Sequence, residues 1–385
     1  MAANYTVCIY HHGSPEVRDE LAAAIQSELR EVGLHRTITV DIRDGGPPPV
    51  DVPTVGIYIG SAAASGDGAL IHEVEETLQA GITVVPVVSD LADFTQLVPD
   101  ALRPINGFEW DGADPARHLA RVALEELGIE ERQRRVFVSH KREDGLAAAE
   151  QLHDALSHIA FQPFIDRFAI RSGEPVQQTI ADALEEYAFL LLLETPLAHS
   201  SDWVFDEVDY ALSHTLGALI VSWPGDPQPV PGSQGLPRLH LLDGDLVSDS
   251  HGYDVLTQDA LGRVIEAVEG AHASGLVRRR RMLVTSTEEA AIAGCASCVP
   301  LPGWRLKVNH YGTTTVVGTA PRLPTADDLQ RLDEAAQEYA PATAVLVHSA
   351  RVLRAERRHH LEWVAGSRDL ALTPENAIGG RWTCH

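Results

Sequence analysis

The sequence is poor in the features that mark membrane, secreted and nucleic-acid-binding proteins. No apolar run approaches the ~18 residues a bilayer span needs; the longest, around Phe189 to Leu193, stops at Glu194. The first residues carry neither a basic stretch nor a small-residue cleavage site, so no membrane contact and a soluble, cytoplasmic protein are expected. Cysteine is scarce. Four residues, at positions 8, 295, 298 and 384, are too few and too unevenly spaced for a disulfide scaffold, and a reducing compartment fits them. Lysine is scarcer, with only Lys141 and Lys307. Positive charge is short overall, 30 Lys+Arg against 55 Asp+Glu for a net charge of −25. The deficit is local: residues 1–281 hold 20 basic and 44 acidic side chains, and residues 282–385 hold 10 and 11. Nucleic-acid binding draws most of its affinity from neutralised phosphates, so the acidic two thirds exclude it and only the last third is left for it. Walker motifs, glycine-rich phosphate loops and a Ser-His-Asp order are also missing.

What is present is a 385-residue chain, 44% apolar, long enough for two or three packed domains at roughly 100–200 residues each. Strand-length apolar bursts at Val7 to Tyr10, Gly56 to Ile59 and Thr83 to Val88 alternate with helical patterns at 15–33 and 69–80, which predicts a parallel sheet with crossover helices. The order restarts with strands at Arg135 to Ser139, Phe164-Ile165, Phe189 to Leu193 and Gly217 to Ser222, and a helix over Leu146 to Ile159. Ile71-His-Glu-Val-Glu75 with Leu78 matches Phe205-Asp-Glu-Val-Asp209 with Leu212, so the two stretches read as divergent repeats. A helix ending near His272 is followed by Ala273-Ser-Gly-Leu and Arg278 to Arg281, which read as a linker; the arginines are either a solvated run or a patch for nucleic acid or acidic lipid. Beyond it, strands at Met282 to Ser286, Thr313 to Thr319 and Thr343 to His348 and helices at Thr325 to Tyr339 and Ala350 to Ala365 suggest a small α/β domain.

The sharpest chemistry lies in the second stretch. Ser139-His-Lys-Arg-Glu-Asp-Gly145 falls where a strand ends and its helix begins, at the sheet edge where α/β folds bind ligands. Phe164-Ile-Asp-Arg-Phe-Ala-Ile-Arg-Ser-Gly-Glu174 supplies a polar, glycine-containing loop over the same edge. Ser200-Ser-Asp-Trp-Val-Phe-Asp-Glu207 opens a helix with Ser200, Ser201 or Asp202 as cap, and Trp203 and Glu207 are one turn apart. Taken alone, Trp203 reads equally as core and Glu207 as a solvated acid at a helix start.

Together these segments resemble the TIR (Toll/interleukin-1 receptor) domain over about residues 134–270, in particular the NAD-cleaving branch found in bacterial defence proteins and in the animal TIR enzyme of axon degeneration. The resemblance implies flavodoxin-like parallel-sheet TIR domains in tandem: a degenerate copy at 1–130, a catalytic copy at 134–272, and a C-terminal α/β domain at 282–385 of unrecognised type. It implies that Glu207 is the catalytic carboxylate, that Trp203 lines the pocket, that Ser139, Lys141 and Arg142 meet the substrate, and that Ile170, Arg171 and Gly173 belong to the adjoining BB loop. NAD+ is then a substrate and no resident cofactor is required. TIR domains also imply homo-oligomers and a place in antiphage defence, and many are non-enzymatic scaffolds, so an adaptor acting through TIR–TIR assembly is the rival reading. In the first copy Glu73 persists, but Ala69 takes the tryptophan position, His11-His12-Gly13 replaces the basic turn and the BB loop is shortened, so that copy is expected to be inactive.

A single carboxylate suits that chemistry. Nicotinamide leaves NAD+ as a neutral group from a cationic one, so no general acid is required, unlike ordinary glycoside hydrolysis. Two further clusters invite roles. Cys295, Cys298, Cys384 and His385 have the donor set of a zinc site, or are ordinary small apolar and surface residues. Arg351, Arg354, Arg357, Arg358, His359 and His360 make a basic helix suited to a nucleotide or an acidic partner protein, or else a solvated helix anchored by Leu353, Leu361 and Trp363.

Overall fold

The computed structural model describes residues 3–31, 34–35, 38–49, 52–105, 107–111, 114–127, 129, 134–159, 161–165, 187, 189–301, 304–339, 341–349, 353, 355–366 and 368–384. The chain is α/β throughout, in two compact units, one built on residues 130–279 and the other on 4–129 together with 280–385.

Within 4–129 the elements are β1 (Ala3–Tyr10), α1 (Pro15–Glu31), β2 (Ile38–Asp44), β3 (Thr54–Ile59), α2 (Gly68–Gln79), β4 (Val84–Val88), α3 (Phe94–Leu97), β5 (Phe108–Glu109) and α4 (Pro115–Glu126). The sheet order is β2-β1-β3-β4-β5, with β1/β3, β3/β4 and β4/β5 parallel. A buried carboxylate, Glu28, joins α1 to α4 by accepting from Nε of Arg121 at 2.9 Å and from Nε of Arg117. Burial alone would raise its pKa, but the hydrogen bonds and charges of Arg121 and Arg117 outweigh that and hold it below the usual carboxylate value. A depressed folded pKa means stability that is present above the unfolded value of about 4.3 and is lost as pH falls through the folded one. Glu28→Gln should therefore lower the thermal midpoint at pH 7 and flatten its fall on acidification, and a pH series on both proteins checks whether the two curves converge toward about pH 3.

The second sheet comprises β6 (Arg135–Ser139), β7 (Gln162–Ile165), β8 (Phe189–Glu194), β9 (Gly217–Ser222) and β10 (Arg238–His240), in the order β10-β9-β8-β6-β7 and parallel throughout. Both sheets thus follow the flavodoxin-like order, reversing direction between the first and third strands. Its helices are α5 (Arg142–Ser157), α6 (Asp202–Ser213) and the start of α7 (Gln258–Ala293), and a small hairpin of β11 (Leu246–Ser248) and β12 (Asp254–Leu256) precedes α7. The period of two along each strand explains the layering. Val136, Val138, Leu191 and Val221 face α5 and α7 in one core; Phe137, Leu190, Leu192 and Ile220 face α6 in the other. Before β6, Arg134 donates through Nη1 to Oε1 of Glu269 on α7 at 2.7 Å and through Nη2 to Oε2, with its guanidinium 4.0 Å from the Phe161 ring centre. Both charged partners are buried.

The third sheet holds β13 (Ser297–Leu301), β14 (Arg305–His310), β15 (Thr313–Ala320), β16 (Ala342–His348) and β17 (Leu370–Pro374) in simple sequence order; the first two pairings are antiparallel and the last two parallel. Helices α8 (Ala326–Gln337) and α9 (Ala355–Ala365) cover one face, and Leu283 and Ala291 of α7, with Ile378 and Trp382, cover the other. Two expectations fail here. Residues 273–281 are not a linker and Met282 to Ser286 is not a strand, because α7 runs unbroken from Gln258 to Ala293. The buried positions Ala273, Leu276, Arg280, Leu283, Thr287 and Ala291 keep a helical spacing, but an arginine occupies one of them and hides the stripe. Arg279 and Arg280 are buried while Arg278 and Arg281 are exposed, so only half of the run is solvated; Arg280 donates through Nη1 to the Glu125 carbonyl, near the end of α4, at 3.2 Å.

Candidate functional site

β6 and β8 flank the point where the second sheet reverses its strand order, and their C-terminal ends define the crevice there. Ser139 ends β6 opposite Leu192. It shares a strand face with Phe137, which packs in one cluster with Val204 and Val208 of α6, so Ser139 lies on the α6 side of the sheet. Ser139 is buried and its Oγ has no hydrogen-bond partner among the described residues. Of the three candidate caps for α6, Ser201 is the one used, its Oγ accepting from the Val204 N–H at 3.4 Å.

The α6 stripe facing the sheet reads Val204, Glu207, Val208, Ala211. Glu207 is only 5% exposed, so it is no solvated acid; a carboxylate occupies a position that the period reserves for an apolar residue. Trp203, one turn earlier, is 42% exposed and is therefore not core. The turn after β6 places buried His140 with Nδ1 3.3 Å from the Val138 carbonyl, Lys141 with Nζ 3.5 Å from Glu143, and Arg142 exposed at the start of α5. Ile170, Arg171 and Gly173 lie outside the described residues.

Two residues that carried no role in the sequence brace this crevice. Asp144, in the first turn of α5, accepts from Thr195 Oγ1 at 2.8 Å and from the Leu197 N–H at 2.9 Å, pinning the turn after β6 to the segment after β8. Its signal was its place inside the Ser139 to Gly145 turn. A Cβ on Gly145 would come within 3.2 Å of His140 Cβ and 3.4 Å of Thr195 Cγ2, which accounts for the glycine. Glu194, buried at the end of β8, is satisfied by Arg238 (2.9 and 3.1 Å), the Val230 N–H and Ser233 Oγ, and is a structural acid.

The equivalent edge of the first sheet is filled. Tyr10 stands where Ser139 does, fully buried, with its hydroxyl 2.6 Å from Thr77 Oγ1. Burial pushes its pKa up to about 12, so the ring stays a neutral plug. Glu73, in the place of Glu207, accepts from the Gly46 N–H at 2.9 Å, and a Cβ at Gly45, whose φ is +61°, would lie 2.6 Å from its Oε2.

The zinc expectation is corrected. Cys295 and Cys384 form a disulfide, so neither sulfur is a thiolate available to a metal; Cys298 is free and part-buried, and His385 lies outside the described residues. Among the described residues no three His, Cys, Asp or Glu side chains group as metal ligands. On α9, Arg358, His359 and His360 are exposed and Arg357 half-buried; Leu353 and Leu361 are buried, but Trp363 is 74% exposed and anchors nothing. Arg351 and Arg354 lie outside the described residues. No helix among the described residues is long and apolar enough to cross a membrane.

Comparison with known families places the crevice in context, because the match runs from β6 through β12. Residues 136–256 match the TIR domain family. Among solved structures, the TIR domains of the activated Roq1 resistosome directly recognising the pathogen effector XopQ are similar at 22% identity, over 24% of this chain and 58% of that one, with a TM-score of 0.23. A putative LacI transcriptional regulator from Bacteroides fragilis aligns at 7% identity over 60% of this chain and 80% of that one, with a TM-score of 0.17. The chain thus spans little more than half of the Roq1 TIR structure, and neither likeness bears on function. No curated protein matches. Within the matched stretch, Ser139 lies on the α6 side of the sheet at the end of β6, and Glu207 is buried in the α6 stripe that faces the sheet.

Proposed function

We propose that the TIR domain breaks the bond between nicotinamide and ribose in NAD+, with Glu207 as the catalytic carboxylate and Trp203, Ser139, Lys141 and Arg142 as substrate contacts. The observation that carries this reading is the carboxylate of Glu207 in the α6 stripe facing the sheet, beside the edge at which α/β sheets bind ligands and where Ser139 Oγ has no partner among the described residues. The C–N bond breaks with its electron pair going to nicotinamide, which departs neutral. Positive charge develops on the ribose, where Glu207 would stabilise it and orient the hydroxyls, while Trp203 offers an aromatic face to the nicotinamide. Water then takes the open position to give ADP-ribose, or an internal nitrogen does so to give a cyclic product. The filled edge of the first sheet, with Tyr10 as plug and Glu73 bonded to Gly46, supports reading residues 1–130 as an inactive relative. Antiphage defence is the biological setting we infer, by way of NAD+ depletion or a nucleotide signal. The deciding experiment is incubation of purified protein with NAD+ and measurement of free nicotinamide; no release at any protein concentration sinks the enzymatic reading.

One observation favours assembly as part of that function, or as its non-enzymatic substitute. Phe205 and Leu212 are as exposed as Trp203 along α6, a large apolar surface for one helix. Activity per molecule should therefore rise with protein concentration, and Phe205→Glu should hold it at the dilute value. Constant specific activity in a monodisperse monomer argues that assembly is not required.

A further inference from the structure

The third sheet ends its parallel strands with a set of polar groups that the TIR chemistry does not use. Strand register sets Ala320, His348 and Pro374 abreast at the C-terminal ends of β15, β16 and β17, the edge at which α/β sheets bind ligands. Trp304 is held there by Thr319 Oγ1, which donates to its carbonyl at 3.1 Å. Arg322 follows β15 by two residues. Trp304 is 9% exposed and Arg322 7%, and neither Trp304 Nε1 nor Arg322 Nε has a hydrogen-bond partner among the described residues. Two buried, unsatisfied N–H donors at one strand edge are costly unless something supplies acceptors. Trp304 also holds a φ of +58°, a strained backbone for a bulky residue and of the kind that gathers at ligand sites.

The other groups narrow the ligand. The Arg322 guanidinium is otherwise engaged, with Nη1 donating to the Leu323 carbonyl at 2.7 Å and to Asp328 at 3.1 Å and Nη2 donating to Asp328 at 3.4 Å, so Nε is its one nitrogen without a partner among the described residues. The start of α8 is already closed by Thr325 and Asp328, so the helix end is not the binding group. His348, buried, directs Nδ1 to the Ser349 carbonyl at 2.7 Å; that nitrogen must carry the proton, which leaves Nε2 as an acceptor. Burial lowers the His348 pKa by more than the Ser349 hydrogen bond raises it, and nearby Arg358 lowers it further against Glu375, so the neutral ring is the resting form. Two donors and one acceptor match a singly protonated phosphate group, whose free oxygens accept and whose P–OH donates.

We infer that this edge binds a small molecule through a phosphate group, with Trp304 and Arg322 donating to its oxygens and His348 accepting from its hydroxyl. The site stands apart from the TIR reaction, and its test does not depend on NAD+ cleavage. Inorganic phosphate, adenosine monophosphate and adenosine are titrated calorimetrically into the full chain carrying Glu207→Gln, at matched ionic strength. Saturable binding of phosphate and of the monophosphate, but not of adenosine, is expected; equal affinities identify free phosphate as sufficient, and tighter monophosphate binding identifies a nucleotide. Trp304→Phe removes the indole N–H together with part of the ring volume, and His348→Asn keeps a donor for Ser349 while deleting the Nε2 acceptor. Each should weaken binding about tenfold or more in protein that still unfolds in one cooperative ligand-free transition, with a lower midpoint expected for Trp304→Phe. Absence of binding, adenosine binding as tightly as the monophosphate, or binding untouched in either folded variant overturns the assignment.

Discussion

Glu207→Gln should reduce nicotinamide release by about a hundredfold to a thousandfold, the loss typical when one group that stabilises transition-state charge is removed from an enclosed site. Glutamine keeps the shape and the hydrogen-bonding capacity of the side chain but not its charge, so it tests electrostatics rather than packing. The domain should stay folded, since a neutral amide is easier to bury than the carboxylate in the stripe of Val204, Val208 and Ala211. Glu207→Ala is the poorer probe, because truncating a group that is 5% exposed adds a packing loss. Glu73→Gln should leave the rate unchanged, as Glu73 bonds to Gly46 behind a tyrosine plug. Quantifying nicotinamide for the three proteins at equal concentration decides the matter; a fully active Glu207→Gln, or an essential Glu73, reverses the roles given to the two sheets.

The largest stability effect is expected at Arg134 and Glu269. Arg134→Met leaves Glu269 charged and buried without its bidentate partner, and breaking such a pair costs about 3–5 kcal/mol. The loss also removes the guanidinium from the Phe161 ring. Replacing both residues, Arg134→Met with Glu269→Leu, removes the desolvation of two ions at once and should restore most of the deficit. Urea unfolding of wild type, single and double variants measures both steps. A single variant within about 1 kcal/mol of wild type would show that the pair is not dry, since only solvent-screened pairs are worth so little.

Much of this protein is legible because its strands are buried on both faces and read as contiguous apolar runs. Arg135–Ser139 and Gly217–Ser222 have the boundaries that their residues suggest, and α1 and α2 come within two residues of theirs. The short edge and hairpin strands β2, β5, β13, β14 and β17 leave weaker signals, because strands that are polar on one face or only two residues long lack a run to read. The TIR turn and the Trp203–Glu207 helix were visible as residue order. Their bracing was not, because Asp144 meets Thr195 across 51 residues of chain.

Local sequence by itself determined the α/β alternation and the residue order of the TIR-like turn and helix, since each depends on neighbours within a strand or a helical turn; the flavodoxin-like order of the two sheets was implied by the family resemblance. Tertiary structure alone decided burial and pairing: that Glu207 lies in the stripe facing the sheet while Trp203 is exposed, that Tyr10 fills the place held by Ser139, that Arg279 and Arg280 are buried in one continuous helix, and that Cys295 bonds Cys384 instead of a metal. The physical reason is common to all four. Exposure, hydrogen-bond partners and disulfide partners are set by atoms contributed from distant parts of the chain, and no local period encodes which atoms those are.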